Sequence, residues 1–298
     1  MTQRIIPHLW FEKEAASAAK FYAKVFPNSK VDFIQEMGDT SKDKGKVEMV
    51  GFQVMGYSMM AIGAGPHFSI NPSISMMVNF DPSQLEGARQ KIDEVWEQLA
   101  QGGEVLMPLD KYPFSERYGW IRDKYGFSWQ LIFTTPEGED RPLMVPSMLF
   151  VGDKCGKAKA ASEFYLAVFK NAKRGAIAPY AAGMPPNKEG DTMFTDFMLE
   201  GQWFAAMDSA AEHNFSFNEA VSLMISCKDQ DEIDYYWDRL SAVAEAEQCG
   251  WVKDKYGISW QIIPANMGEL MGQNPEKTTP AMMKMKKIII AELEAAAV

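Results

Sequence analysis

The sequence predicts an α+β protein of two tandem copies, each built from two β-α-β-β-β modules, followed by a helical tail. Three observations carry this. Trp120-Ile-Arg-Asp-Lys-Tyr-Gly-Phe-Ser-Trp-Gln-Leu-Ile132 and Trp251-Val-Lys-Asp-Lys-Tyr-Gly-Ile-Ser-Trp-Gln-Ile-Ile263 agree at nine of thirteen positions, and the other four keep size and polarity, which marks a duplication. Runs with strand alternation and runs with helical spacing follow one another in the same order four times. The length, 298 residues, suits two domains that each bury a core.

In the first copy, residues 4–11 form a short apolar run, and Ala15, Ala18, Ala19, Tyr22, Val25 and Phe26 then recur at helical spacing until Pro27. Residues 31–37 read as a strand, 38–46 as a polar loop, and 47–54 with 57–62 as a hairpin turning at Met55-Gly56. The module then restarts. Residues 74–80 read as a strand, Asp81-Pro-Ser-Gln as a helix cap and first turn, and Leu85, Ala88, Ile92, Val95, Trp96 and Leu99 as the apolar face of that helix. Strands at 104–107, 118–123 and 128–134 close the copy, with a loop at 109–117.

Residues 136–142 read as a linker, so the predicted domains are 1–135 and 143–265, with a tail at 266–298. Phe21-Tyr-Ala-Lys-Val-Phe26 returns as Phe164-Tyr-Leu-Ala-Val-Phe169, and Phe68-Ser-Ile-Asn-Pro-Ser-Ile-Ser75 as Phe215-Ser-Phe-Asn-Glu-Ala-Val-Ser222. The second copy lacks about ten residues corresponding to 109–117. In the tail, Thr279-Pro280 predicts a helix start and Met282, Met285, Ile289 and Leu293 one apolar stripe.

Composition narrows the function. Apolar residues are 47% and charged residues 23%, as in ordinary globular domains, and 30 Lys+Arg against 40 Asp+Glu give a net charge of −10. That balance disfavours nucleic acid and anionic lipid surfaces as partners. Cys155, Cys227 and Cys249 form no paired or metal-binding spacing, which predicts a reduced, cytoplasmic setting. The charge-free stretch 49–80 contains Gly51, Gly56, Gly63, Gly65, Pro66 and Pro72, so consecutive strands are expected there and no membrane span.

The Pro7-His-Leu-Trp-Phe11 strand, the Phe-Tyr-x-x-Val-Phe helix end, the Phe-Ser-x-Asn-x-x-x-Ser segment and the Asp-Lys-Tyr-Gly-x-Ser-Trp-Gln closure resemble the vicinal oxygen chelate superfamily. That superfamily includes glyoxalase I, extradiol dioxygenases and bleomycin-resistance proteins. More narrowly, the motifs resemble its PhnB-like branch, which carries the label 3-demethylubiquinone-9 3-methyltransferase domain. The resemblance implies glyoxalase-like domains in which paired modules form a half-open barrel around a cavity, with His and Glu metal ligands on inward faces. Here those ligand positions hold Ser75 and Gln130, and Ser222 and Gln261 in the second copy. Such donors are weak for zinc, nickel or iron, so no metal ligand and no cofactor is assigned.

Strand alternation places Ser75, Met77, Asn79, Ser128, Gln130 and Ile132 on one face, and the first strand adds His8 and Trp10. The expected ligand-binding set is therefore His8, Trp10, Ser75, Met77, Asn79, Tyr112, Phe114 and Gln130, with 109–117 as a lid and the first copy as the working domain. The second copy has Ser147 and Leu149 where the first has His8 and Trp10. The leading functional reading is a metal-free protein that binds or sequesters a small molecule. A metal-dependent lyase, isomerase or dioxygenase and a quinone-directed methyltransferase are the alternatives; no catalytic residue is assigned. Tandem copies also predict pairing within the chain as a pseudo-dimer, or with a second chain as a homodimer.

Overall fold

The computed structural model describes residues 3–37, 47–135 and 140–298; the loop expected at 38–46 and linker residues 136–139 lie outside them. The first copy forms β1 (Ile5–Phe11), α1 (Ala15–Val25), β2 (Lys30–Met37), β3 (Val47–Val54), β4 (Tyr57–Gly63), β5 (Ile74–Phe80), α2 (Ala88–Leu99), β6 (Glu104–Tyr112), β7 (Ser115–Arg122) and β8 (Ser128–Phe133). The second forms β9 (Met144–Val151), α3 (Ala158–Val168), β10 (Ala172–Pro179), β11 (Thr192–Leu199), β12 (Gln202–Ser209), β13 (Val221–Cys227), α4 (Gln230–Leu240), β14 (Trp251–Lys253) and β15 (Ser259–Pro264). The tail forms α5 (Met267–Gln273), α6 (Pro275–Met282) and α7 (Ile290–Ala297). The order strand, helix, three strands thus repeats as expected, except in the last module, where the ten-residue deletion removes the counterpart of β6.

Three local expectations are corrected. Asp81 does not cap α2: its carboxylate accepts from the Ser83 N–H and its carbonyl from the Leu85 N–H, closing a separate turn, and α2 begins after Gly87 at a positive φ of 69°. The segment 109–117 is not a loop, because β6 and β7 run through it as a hairpin joined at Pro113-Phe114. In the tail, Asn274-Pro275 opens α6 and Pro280 lies inside it, so Met282 falls on α6 and Leu293 on α7 rather than on one helix. The Met55-Gly56 turn is as expected, with φ of 50° and 78° matching the strand twist of a two-residue hairpin.

The chain packs as two compact units, and their boundary does not follow the repeat. Leu9–Ser216 is one; residues up to His8 and Phe217–Val298 are the other. The larger unit holds an open eight-stranded sheet in the order β10-β11-β12-β9-β5-β8-β7-β6. Its two halves come from different copies and meet at the antiparallel pair β5–β9, where Ser75 faces Ser147. Helices α2 and α3 pack on one side of this sheet. On that side Met76, Val78, Phe80, Trp129, Leu131, Phe150 and Phe204 are fully buried, each contributing about 1.5–3 kcal/mol. Separately in this unit, β2, β3 and β4 form an antiparallel ladder under α1. Tyr22 and Phe26, at the end of α1, reach Trp129 at ring distances of 5.1 and 4.6 Å.

The smaller unit runs β14-β15-β13 and then the first four residues of β1, with α4 on the side of Leu223, Trp260 and Ile262. His8 lies here, fully buried against Trp251 at 6.0 Å between ring centroids.

The duplicated motif has a specific physical cause. Asp123 Oδ1 accepts from the N–H groups of Tyr125 and Phe127, and Oδ2 from Trp129 Nε1 at 2.8 Å. Asp254 repeats all three bonds with Tyr256, Ile258 and Trp260. One buried carboxylate therefore closes the Lys-Tyr-Gly turn and anchors the tryptophan six residues on. Burial pushes the Asp123 carboxyl above its usual range, and these hydrogen bonds oppose the rise.

Asp123→Ala should strand one indole and two backbone N–H groups and cost about 3 kcal/mol or more by urea unfolding, with a similar loss for Asp254→Ala. Losses under about 0.5 kcal/mol, the range of neutral surface changes, would refute this role. A second expectation concerns His8, whose burial lowers its pKa from 6.5 to about 4. Between those values the unfolded chain binds a proton that the folded imidazole refuses, so stability should fall on acidification from pH 6.5, by about 3 kcal/mol at most. His8→Gln should flatten that slope; an unchanged pH profile would contradict it.

Candidate functional site

The helix-free side of the eight-stranded sheet gathers polar groups at its centre. β5 and β8 pair in parallel with Met77 beside Gln130, and β5 and β9 pair with Ser75 beside Ser147, so these four side chains share one face. Gln130 joins them. Its Nε2 donates to Ser75 Oγ at 2.7 Å and to Ser147 Oγ at 3.4 Å, while its Oε1 accepts from the Tyr118 hydroxyl at 2.8 Å. Burial raises the Tyr118 pKa, with Tyr112 adding to the rise, which keeps that hydroxyl a donor.

Both amide atoms are thus occupied, and each serine oxygen is used as an acceptor. Among the described residues no acceptor is recorded for the two serine hydroxyl hydrogens, which makes them the available donors of the face. Met77, Val145, Trp203 and Ala205 form an apolar floor, flanked by Ile132, Phe194, Met198 and Met207. This side keeps some access to solvent that the helix-covered side lacks: Met77 is 9% exposed and Gln130 4%, against 1% or less for Met76, Val78, Trp129 and Leu131.

A charged group completes the floor. Arg141 Nε donates to Asp196 Oδ2 at 2.6 Å, and its guanidinium lies 3.6 Å from the Trp203 ring centroid. Asp196 Oδ1 also accepts from the Ala176 N–H. Gly175 is required beside it, because a Cβ there would collide with the Asp196 carboxylate and with Trp203. The pair is internally neutralised, so the face as a whole carries no net charge from it.

The structure brings together only part of the expected set. Ser75, Met77 and Gln130 lie side by side. Tyr112 and Phe114 stack at 5.6 Å on the β6–β7 hairpin and both meet Tyr118 edge-on, at 5.5 and 5.0 Å. Tyr112 ends β6 and Phe114 sits in the turn of the hairpin, both against Tyr118 of the Gln130 network, so the segment is a hairpin and not the expected loop lid. Asn79 shares the face, but its amide donates to the Pro142 carbonyl at 2.7 Å and holds the chain there. Trp10 lies on β1, outside the eight-stranded sheet, where its indole donates to the Gly65 carbonyl and meets Phe68. His8 belongs to the smaller unit.

The sequence reading missed Ser147 as a partner of Gln130, and it missed Tyr118, Arg141, Asp196 and Trp203 altogether. Pairing of modules across the repeat carries no local signal. A charged residue standing alone on an apolar strand, as Asp196 does in Phe-Thr-Asp-Phe-Met, is the one clue that was visible.

The metal that the sequence resemblance implies does not fit this donor set. At its ligand positions stand a hydroxyl and an amide that are hydrogen-bonded to each other, and among the described residues no three His, Cys, Asp or Glu side chains gather to hold an ion. S-adenosylmethionine does not fit either. The glycine string Ile62-Gly-Ala-Gly-Pro66 leads from β4 through irregular chain into β5, not into a helix N-terminus. No described helix is long and apolar enough to cross a membrane.

Comparison with known proteins places this architecture. The PhnB protein from Bacillus cereus is 35% identical over 44% of this chain and 100% of its own, with a TM-score of 0.39. Glyoxalase I from Zea mays is 9% identical, covering 90% of this chain and 96% of its own with a TM-score of 0.56, a likeness of fold. No curated protein sequence matches. The family model described as 3-demethylubiquinone-9 3-methyltransferase matches twice, at residues 3–132 and 142–263. By that double match over most of its length, the chain belongs to the 3-demethylubiquinone-9 3-methyltransferase family, in two tandem copies.

Proposed function

We propose that the helix-free face of the eight-stranded sheet binds or sequesters a small, uncharged, largely apolar molecule bearing a hydrogen-bond acceptor such as a carbonyl, and that it does so without a metal or cofactor. The Gln130 network carries this reading. A buried amide holds Ser75, Ser147 and Tyr118 in place over Met77, Val145 and Ala205, and the two serine hydroxyls remain to orient a ligand. Small-molecule sites combine an apolar lining with a few fixed polar groups in this way. Tyr112, Phe114 and Trp203 supply flat walls with few rotors to freeze on binding.

The same sheet supports a pseudo-dimer within the chain, since β5–β8 of one copy and β9–β12 of the other supply its two halves. The free thiols of Cys155, Cys227 and Cys249 agree with a reducing, cytoplasmic setting. The acidic balance of the sequence argues against nucleic acid as a partner. A lyase, isomerase or dioxygenase in this superfamily mode would need donors that Ser75 and Gln130 do not provide.

Protein purified without chelators should contain far less than one equivalent of zinc, nickel, iron or manganese by elemental analysis. Stoichiometric metal that disappears in Gln130→Ala would overturn the metal-free reading. A thermal-shift screen of neutral carbonyl compounds should find ligands that raise the melting temperature. For such a ligand, Gln130→Ala should weaken binding about tenfold or more, whereas Trp10→Ala should stay within about threefold. Equal losses from both substitutions would refute this placement of the site.

A further inference from the structure

The smaller unit contains two buried polar atoms that nothing satisfies. His8 Nδ1 and Ser259 Oγ have no hydrogen-bond partner among the described residues, although both are inaccessible to solvent. Such atoms are rare in folded proteins, because a buried polar group without a partner loses the hydrogen bonds it had with water. Tyr22 Oη and Thr134 Oγ1 are likewise unpartnered in the larger unit, so it is the placement of the two atoms of the smaller unit that matters.

Their placement mirrors the Gln130 face. Ser222 pairs with Ser259 and Met224 with Gln261 across β13 and β15, and Trp251 pairs with Gln261 across β14 and β15, so these side chains share one face. Gln261 Nε2 donates to Ser222 Oγ at 2.9 Å, as Gln130 does to Ser75. The opposite face, with Leu223, Trp260 and Ile262, is sealed under α4.

The two units differ in what surrounds this shared pair. In the larger one, Trp120 Nε1 donates to Ser128 Oγ at 3.0 Å, and Ser147 closes the network. In the smaller one, the matching Trp251 lies edge-on to His8, and the matching Ser259 hydroxyl is left over. His8 stands where the repeat places Ser147, so a small hydroxyl that completes a network has been replaced by an imidazole that completes none.

We infer that the smaller unit holds a second binding site, centred on His8, Trp251 and Ser259, for a neutral ring-bearing hydrogen-bond donor of the phenol class. Burial keeps His8 uncharged near neutral pH. The Nε2–H tautomer that neutral imidazoles favour leaves Nδ1 an acceptor, which calls for a donor in the ligand. Trp251 and Met224 offer apolar surface to a ring, and the Ser259 hydroxyl can accept or donate at its edge. An anion would find no cationic partner in this trio, and a cation would lose hydration with only neutral groups in return. This site does not rest on the Gln130 reading, and it differs in sense: there the protein donates, here it accepts.

Phenol itself is the probe, with toluene as the analogue that lacks the donor. The chain has three histidines, so full-length protein labelled with 15N-histidine gives three rings to follow, and His67→Gln and His213→Gln identify His8 by elimination. Phenol should move the His8 Nδ1 resonance saturably towards the position of a hydrogen-bonded acceptor, and toluene should not. Trp251→Leu should weaken the phenol response by about fivefold or more through loss of the ring contact. Gln130→Ala should leave it intact, which separates this site from the larger unit's. An unresponsive Nδ1, an equal response to toluene, loss of the response in Gln130→Ala, or a resonance already at the bonded position from an ordered water and unmoved by phenol would each overturn the proposal.

Discussion

The constraint on which the rest depends is the buried carboxylate of Asp123, copied as Asp254. A charge in a nearly dry site is stable only with several donors, and the chain supplies them locally: two backbone N–H groups of its own turn and the indole six residues on. Fixing Trp129 on the helix side fixes Gln130 on the opposite side, because successive strand residues alternate. The side chain that organises the candidate site is therefore oriented by an aspartate that never touches it. This also explains why the motif survives duplication so closely, since a change at the Asp, the Trp or the Gly turn would strand a buried polar group.

The elements were legible because they depend on local chemistry. Proline and glycine punctuation, the Met55-Gly56 turn and the alternation through 74–80 and 128–133 all act within a few residues. Asp81 was misread because an aspartate that caps a helix and one that closes a turn make the same bond to the N–H two residues on. The hairpin at 109–117 was misread as a loop because Tyr112, Pro113 and Phe114 sit at its tip, where apolar residues gave no alternation to follow.

The site was only half legible for a different reason. Periodicity assigns a face to each strand but not a neighbour, and the neighbour decides what a pocket contains. Ser75 pairs with Ser147 of the other copy and not with the first strand of its own. Hence Ser75, Met77 and Gln130 come to one face, since they sit on directly paired strands of one module, while Trp10 and His8 lie on β1, outside that sheet. Arg141 and Asp196 lie 55 residues apart in sequence and meet only once the modules have paired.

Gln130 and Ser75, and again Gln261 and Ser222, stand at positions where the sequence resemblance implies charged or basic ligands, and this bears on how the faces stay folded. A glutamate buried in place of Gln130 would need a cation, a proton or several donors, whereas an amide satisfies itself with one hydroxyl donor and one hydroxyl acceptor. The Tyr118–Gln130–Ser75 chain provides both, so this amide needs no charged partner. That independence frees the remaining neighbours to vary without loss of the fold. Ser147 completes the chain in one unit, and in the other His8 stands aside from Gln261–Ser222 and leaves its nitrogen unspent. A duplication that keeps a Gln–Ser pair at both centres can therefore differ at the edges of its two faces, where Tyr118 and Ser147 flank one pair and His8 and Trp251 lie in the unit of the other.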